Sequence, residues 1–167
     1  MRGYHHPGAA TLSATDLSLL PLLEASYRHW LGQPLPRPAG LLAADVPAWL
    51  HERAPYALLA HGTEADPLFC YANRQALSCF GYPRAEFIGM PSRFSASPKD
   101  RDERQRLMEA VGRQGYACGY EGWRVDRDGE AFQIHAGVVW NLLDVDGQRL
   151  GQAALFWPDP QRIGQLE

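Results

Sequence analysis

The sequence has very little lysine, only three cysteines and no long apolar run. Lys99 is the single lysine, and the formal net charge is −3. A protein that binds DNA or RNA irrespective of sequence needs a basic face to neutralise phosphates, so the charge argues against that class. No segment approaches the roughly 20 apolar residues of a membrane span, and the N-terminal stretch MRGYHHPGAATLSA lacks the apolar region of a signal peptide. We therefore expect a cytoplasmic protein with no nucleic-acid or membrane partner.

Catalytic motifs are also missing. The sequence contains no G-x-S-x-G, H-E-x-x-H or P-loop pattern, so we predict no catalytic residues. Cys70, Cys79 and Cys118 form no CxxC pair, and their spacing indicates buried, reduced thiols. The pair His5-His6 lies in a short polar tail, so we predict no metal site there. The sequence favours a protein that is not an enzyme, with a small enzyme of another kind as a lesser alternative.

The composition, 46% hydrophobic and 21% charged, is typical of one globular domain. We expect a frayed N-terminus over residues 1–15, a helical segment with a Pro-rich connector over 16–54, a core over 55–158 and a tail over 159–167. Within the second segment we predict helices over 19–31 and 45–53, the latter capped by Asp45. An apolar stripe on the first helix either packs on the domain or meets a second copy of the chain in a homodimer. Its candidate interface residues are Leu20, Leu23, Tyr27 and Trp30.

The middle of the sequence alternates helix and strand signals. Asn73 is predicted to cap a helix that follows a strand over 68–72 and ends before Gly81. A one-turn helix over 84–88 comes next, and a longer one over 97–113 begins with the capping residue Ser97. On the long helix we expect Leu107, Met108 and Val111 to face inward. Acid–base pairs four residues apart should cover its outer face: Asp100/Arg104, Asp102/Arg106 and Glu109/Arg113.

Five strands are predicted, over 56–61, 68–72, 119–126, 130–142 and 150–157. The fourth alternates strictly, which places Phe132, Ile134, Ala136, Val138 and Trp140 on one face and Gln133, His135, Gly137, Val139 and Asn141 on the other. Trp140 is therefore expected to be buried against the helix that follows Asn73. Two Asp-Gly turns join the last three strands into an antiparallel meander.

Several segments resemble the MEKHLA domain, a PAS-like family found at the end of plant homeodomain–leucine zipper regulators and in stand-alone bacterial proteins. The matching segments are LLEASYRHWLGQPL, HGTEADPLFCYANRQAL, the PSR at 91–93, DRDERQRL, GYEGWRVDRDG, VVWNLLDVDG and GQAALFW. The resemblance implies an α+β fold, a five-stranded antiparallel sheet with short helices on one face, here with an N-terminal helical extension. We expect a chain of the stand-alone type.

A PAS-like domain without catalytic motifs is expected to be a sensory or regulatory signalling module. Its ligand would be a small apolar or aromatic molecule held between sheet and helices. The alternatives are a ligand-free dimerisation module and plain core packing of the same side chains. No cofactor is expected: the Asn-Cys-Arg-Phe-Leu-Gln motif of light-sensing flavin domains is missing, and no histidine is placed as a haem ligand. Arg93 is expected to pair with a carboxylate, either of a ligand or of this chain. The candidate ligand-binding residues are Tyr71, Asn73, Phe80, Ile88, Arg93, Phe94, Ile134, Val138, Trp140 and Gln152.

Overall fold

The computed structural model describes residues 17–166 and is built on one five-stranded antiparallel sheet. The predicted frayed residues 1–15, with His5-His6, lie outside this range. The spatial order is β2-β1-β5-β4-β3, so β1 lies between β2 and the last strand of the chain. The strands are β1 (Ala57–His61), β2 (Phe69–Ala72), β3 (Tyr116–Val125), β4 (Ala131–Leu143) and β5 (Arg149–Trp157). The predicted α+β fold class is confirmed.

Four of the five α-helices in the described range begin and end within one residue of the predicted positions. The helix predicted over 97–113 begins four residues late, because Ser97 caps a 3-10 turn over Pro98–Asp100 that precedes it. The helices are α1 (Leu20–Leu31), α2 (Val46–Glu52), α3 (Arg74–Phe80), α4 (Arg84–Phe87) and α5 (Arg101–Gln114). The Asn73 side chain accepts a hydrogen bond from the Ala76 amide, as predicted, and Gly81 ends α3 at a φ of 74°. Asp45 makes no such cap, because it belongs to a 3-10 turn that runs straight into α2. The preceding carbonyls already accept from the first amides there: the Asp45 amide donates to the Leu42 oxygen at 2.9 Å.

Helices cover both faces of the sheet, not one. We call the apolar layer between the sheet and α1 and α2 the α1-side core, and the layer between the sheet and α3, α4 and α5 the α3-side core. The α1-side core includes Leu20, Leu23, Tyr27, Trp49, Tyr56, Tyr71, Trp140 and Trp157. The α3-side core includes Leu59, Phe69, Phe80, Phe87, Leu107, Val111, Tyr120, Ile134 and Phe156. In the C-terminal tail, a 3-10 turn forms over Pro160–Arg162, and Leu166 packs partly on the α1-side core.

Helix α1 is held on the sheet by long-range polar contacts as well as by apolar packing. The Trp30 indole nitrogen donates to the Asn141 carbonyl at 2.9 Å, and the Leu143 amide donates to the Ser26 hydroxyl at 3.0 Å. The Trp30 ring lies directly over Gly115, where no side chain would fit. The apolar stripe of α1 therefore packs within the chain, which is the intramolecular alternative.

A β-bulge in β4 interrupts the strict alternation of that strand. The pairing register with β5 shifts between His135 and Val138, and Ala136 adopts a left-handed backbone with a φ of 50°. The Glu121 side chain of β3 stabilises the bulge, because its carboxylate accepts from the Ala136 amide and lies 3.0 Å from the His135 Nδ1.

The bulge exchanges the two faces of β4 midway along the strand. Phe132 and Ile134 lie on the α3-side core, whereas Val138 and Trp140 lie on the α1-side core. The predicted common face for these residues is wrong. Trp140 is fully buried as expected, but against Tyr27 of α1 and not against α3.

Replacing Ala136 by glycine is expected to leave the free energy of unfolding within about 1 kcal/mol of the parent. The left-handed backbone costs an alanine about 1–2 kcal/mol, which offsets the extra entropy that glycine loses on folding. Ala153, which is regularly paired on both sides in β5 and also packs into the α1-side core, is the matched control. Ala153→Gly should lose roughly 1–2 kcal/mol from methyl burial and chain entropy. Urea denaturation of both variants makes the comparison, and equal losses would contradict it.

Candidate functional site

A partly open cavity of about 90 Å³ lies between the α3-side face of the sheet and helix α5. Strands β1, β3, β4 and β5 form its floor, and α5 together with the 3-10 turn Ser92–Ser95 forms its roof. The apolar part of the lining consists mainly of Leu59, Phe80, Leu107, Ile134, Val139 and Phe156. The polar part includes His61, Arg104, Tyr120, Arg124 and Gln152. An apolar concave site with a few polar groups is the usual form of a small-molecule site.

Arg124 lines the polar wall of this cavity, and the buried Asp100 behind it holds its guanidinium by an ion pair. Arg124 Nη1 donates to Asp100 Oδ2 at 3.3 Å and to the Tyr120 hydroxyl at 3.4 Å, and the Asp100 side chain is 1% exposed. Burial raises the pKa of Asp100, although the Arg124 guanidinium acts in the opposite direction. Gly122 gives the cluster its space, since a Cβ there would lie 2.8 Å from Asp100 Oδ1 and would overlap the Tyr120 hydroxyl.

Arg104 of α5 adds a second guanidinium to the same wall. Among residues 17–166 it makes no direct hydrogen bond or ion pair, so the predicted Asp100/Arg104 pair is not in contact. Burial lowers the pKa of Arg104 and the neighbouring Arg124 lowers it further, although Asp100 lies close enough to act in the opposite direction and raise it. Of the other predicted pairs on α5, Arg106 instead joins Glu103 one turn away. Met108, predicted to face inward, is 39% exposed at the cavity rim.

Three of the predicted ligand-binding residues line the cavity: Phe80, Ile134 and Gln152. Tyr71, Val138 and Trp140 lie on the other side of the sheet, in or against the α1-side core. The Tyr71 hydroxyl is hydrogen-bonded there to His51 Nδ1 at 2.8 Å. The ten predicted residues therefore do not converge on one site, because the sheet has an apolar layer on each face.

Asn73 is buried, and its amide is fully used inside the chain. Its Oδ1 accepts from the Leu58 and Ala76 amides, each at 3.0 Å. Its Nδ2 donates to the Leu50 carbonyl at 3.0 Å and to the Tyr56 carbonyl at 3.1 Å. An amide offers two donors and one oxygen with two lone pairs, so nothing remains for a ligand.

The remaining predicted residues lie near the protein surface. Arg93 Nε donates to both oxygens of Asp66, at 3.2 and 3.1 Å, which makes its partner a carboxylate of this chain. Phe94 is 50% exposed beneath the Arg93 guanidinium. Ile88 is half-buried and packs against the edge of the α3-side core.

The residues predicted from the sequence do not include three that line the cavity: Arg104, Tyr120 and Arg124. The alternation of acids and arginines along α5 predicts a solvated helix face for Arg104 instead. A signal for the other two was present: Tyr120 and Arg124 are four residues apart on one strand and therefore share a face.

Between residues 17 and 166 the thiols and histidines do not cluster into a reactive centre. Cys70 and Cys79 are buried or half-buried as predicted, whereas Cys118 is exposed. Within the described range, no three side chains of the metal-binding types come together. None of the helices found between residues 17 and 166 is both long enough and apolar enough to cross a bilayer.

The family model for the MEKHLA domain matches residues 17–158. A search of the curated proteins finds no match to the sequence. Among solved structures, the PAS domain of a protein from Colwellia psychrerythraea superposes with a TM-score of 0.58 at 18% identity, over 71% of this chain and 98% of that one. The LOV domain of the blue-light-activated histidine kinase of Erythrobacter litoralis EL346 superposes with a TM-score of 0.52 at 24% identity, over 62% of this chain and 95% of that one. A light-oxygen-voltage domain studied with a flavin analogue superposes with a TM-score of 0.56 at 16% identity, over 73% of this chain and 86% of that one.

The residues of this chain do not fit a flavin that reacts with a cysteine. The cavity of about 90 Å³ is far below the roughly 300–1,000 Å³ of pockets that hold larger ligands. No cysteine is part of its lining. The nearest candidate by sequence, Cys79 on α3, has its pKa raised to about 11 by burial, so little reactive thiolate forms at neutral pH.

Proposed function

The chain belongs to the MEKHLA domain family, and on that premise we propose that it is a non-enzymatic sensory or regulatory module of the cytoplasm. Its signal would be a small apolar or aromatic molecule that binds in the cavity beneath α5. The observation that carries the proposal is the cavity itself, because close-packed interiors rarely leave a void of several water volumes beside unpaired polar groups.

The position of the cavity supports a regulatory role. Its roof is α5 and the 3-10 turn Ser92–Ser95, whereas its floor is the sheet. A molecule that fills the cavity would contact both layers and so favour the closed arrangement over any more open one. A ligand transmits a signal only if it contacts the two arrangements differently, and a ligand bound here would touch the roof and the floor together only in the closed one.

The size of the cavity restricts the ligand. A dry engineered cavity of about 150 Å³ accepts benzene, so about 90 Å³ suits a body of only a few carbon atoms. Larger aromatic ligands would require movement of α5.

The test fills the cavity by enlarging one of the side chains that line it. Ala154 lines it from β5, so Ala154→Leu should occupy the space without a large loss of stability. We expect the parent to melt at a higher temperature in the presence of at least one of benzene, 1-butanol and butyrate, because a ligand that binds only the folded state stabilises it. The shift should disappear in Ala154→Leu.

Ala110→Leu is the matched control, because Ala110 packs against the same core from α5 but does not line the cavity. This variant should retain the shift. The proposal is wrong if none of the three probes stabilises the parent, or if Ala154→Leu responds as the parent does.

A further inference from the structure

We propose that the ligand of the cavity is a small carboxylate with a short apolar tail, and that Arg104 and Arg124 bind its carboxylate group. This inference rests on the proposed function, since it names the chemical class of that ligand. Charge, geometry and size each point to the same class.

The polar wall has an excess of positive charge. Two guanidinium groups, Arg104 and Arg124, face a single internal carboxylate, Asp100. His61 also lines the cavity, but burial lowers its pKa, so it is neutral at neutral pH. Glu103 lies nearby but is exposed and paired with Arg106. The wall therefore carries one uncompensated positive charge, and a partly buried charge without a counterion is unfavourable. A bound anion would neutralise this charge.

Hydrogen-bond donors remain available at this wall. A guanidinium has five N–H donors, and within the described range Arg124 uses only Nη1, with Asp100, Tyr120 and the Trp123 carbonyl. Arg104 makes no direct hydrogen bond within residues 17–166 and feels Asp100 only as a nearby charge. The planar fork of arginine matches the two oxygens of a carboxylate, which is why this pairing is strong and directional.

An apolar floor lies directly beside the two arginines. Leu107, Ile134 and Phe156 would surround whatever extends from the anionic group into the cavity. A volume of about 90 Å³ admits a short hydrocarbon tail and excludes a long one. A bare inorganic anion would leave this apolar surface unfilled, so the class is an organic acid.

The experiment compares probes of one shape and different charge by titration calorimetry: butyrate, butyramide, 1-butanol and acetate. We expect butyrate to bind roughly 10- to 100-fold more tightly than butyramide, because hydrogen bonds to charged groups are the strong ones. Acetate should bind more weakly than butyrate, since it lacks the tail that fills the cavity.

The decisive variant is Arg104→Gln. Because Arg104 makes no internal hydrogen bond, its removal should not unfold the domain. It should lower the affinity for butyrate by roughly 10-fold or more and leave that for 1-butanol unchanged. Arg113→Gln, the same change on the exposed side of α5, is the control and should bind butyrate like the parent. Arg104→Lys keeps the charge and should recover part of the affinity.

Two results would overturn the inference. One is neutral probes that bind as tightly as butyrate, and the other is equal effects of Arg104→Gln and Arg113→Gln. If 1-butanol or benzene stabilises the parent while butyrate does not, the carboxylate is wrong and the proposed ligand-binding function stands. If no probe binds at all, both proposals fail.

Discussion

Replacing Asn73 by alanine is expected to lower the free energy of unfolding by roughly 4 kcal/mol or more, a large part of the 5–15 kcal/mol that is typical of a domain. The side chain is 1% exposed and makes four hydrogen bonds, which join α2, β1 and α3. Its loss leaves two backbone N–H groups and two carbonyls buried without partners, each at a cost of about 1–3 kcal/mol. Guanidinium denaturation followed by circular dichroism measures the change.

Two further variants separate the cap from the rest of this network. Asn73→Asp retains both acceptor bonds, to the Leu58 and Ala76 amides, but turns a carboxylate oxygen toward the Leu50 and Tyr56 carbonyls. The free energy of unfolding of Asn73→Asp should therefore be lower than that of the parent, whether or not it is higher than that of Asn73→Ala. Gln75→Ala, in the first turn of the same helix, should change stability by less than about 0.5 kcal/mol. A parent-like Asn73→Ala protein would show that the network does not form.

Trp140→Ala is expected to cost roughly 3–5 kcal/mol, because it removes a fully buried indole from a close-packed layer. The Trp140 ring meets Tyr27 edge to face, with ring centres 5.0 Å apart. The variant should therefore loosen α1 before the rest of the domain. Hydrogen exchange of the α1 amides should accelerate more than that of the α3 amides. Uniform acceleration would contradict this placement of Trp140.

Trp140→Phe gives the companion measurement. The Trp140 indole nitrogen is buried and has no hydrogen-bond partner in the described part of the chain, so phenylalanine removes an unsatisfied donor along with some volume. Its cost should be less than half that of Trp140→Ala. Since Trp140 lies across the sheet from the cavity, the affinity for butyrate should not change. A changed affinity would place Trp140 at the ligand site.

Local signals in the sequence were sufficient to predict the helices and strands. They were not sufficient to predict which face of the sheet each side chain lies on. Asn73, Gly81 and Gly115 mark helix ends through capping and left-handed backbone, and the structure places all three there. The face of Trp140 could not be predicted by counting, because a bulge at Ala136 moves every later side chain of β4 to the other side. Alanine gives no signal for a left-handed backbone.

The cavity was hard to predict for a different reason. Alternation along a strand tells which residues share a face, but here both faces of the sheet are apolar, so the pattern does not identify which one holds a pocket. The cationic wall combines α5 with β3, and its Asp100–Arg124 pair joins residues 24 apart in the chain. Only the folded arrangement brings these groups together.

The attachment of α1 has a consequence for synthesis on the ribosome. The hydrogen-bond partner of Trp30, the carbonyl of Asn141, is synthesised 111 residues later. The partner of Ser26, the amide of Leu143, is synthesised 117 residues later. At translation rates of about 5–20 residues per second, the apolar stripe of α1 stays uncovered for roughly 6–23 s after it is made. During that interval the helix is a natural target for chaperones that hold nascent chains. Slower translation across β4 would prolong that exposure and favour aggregation.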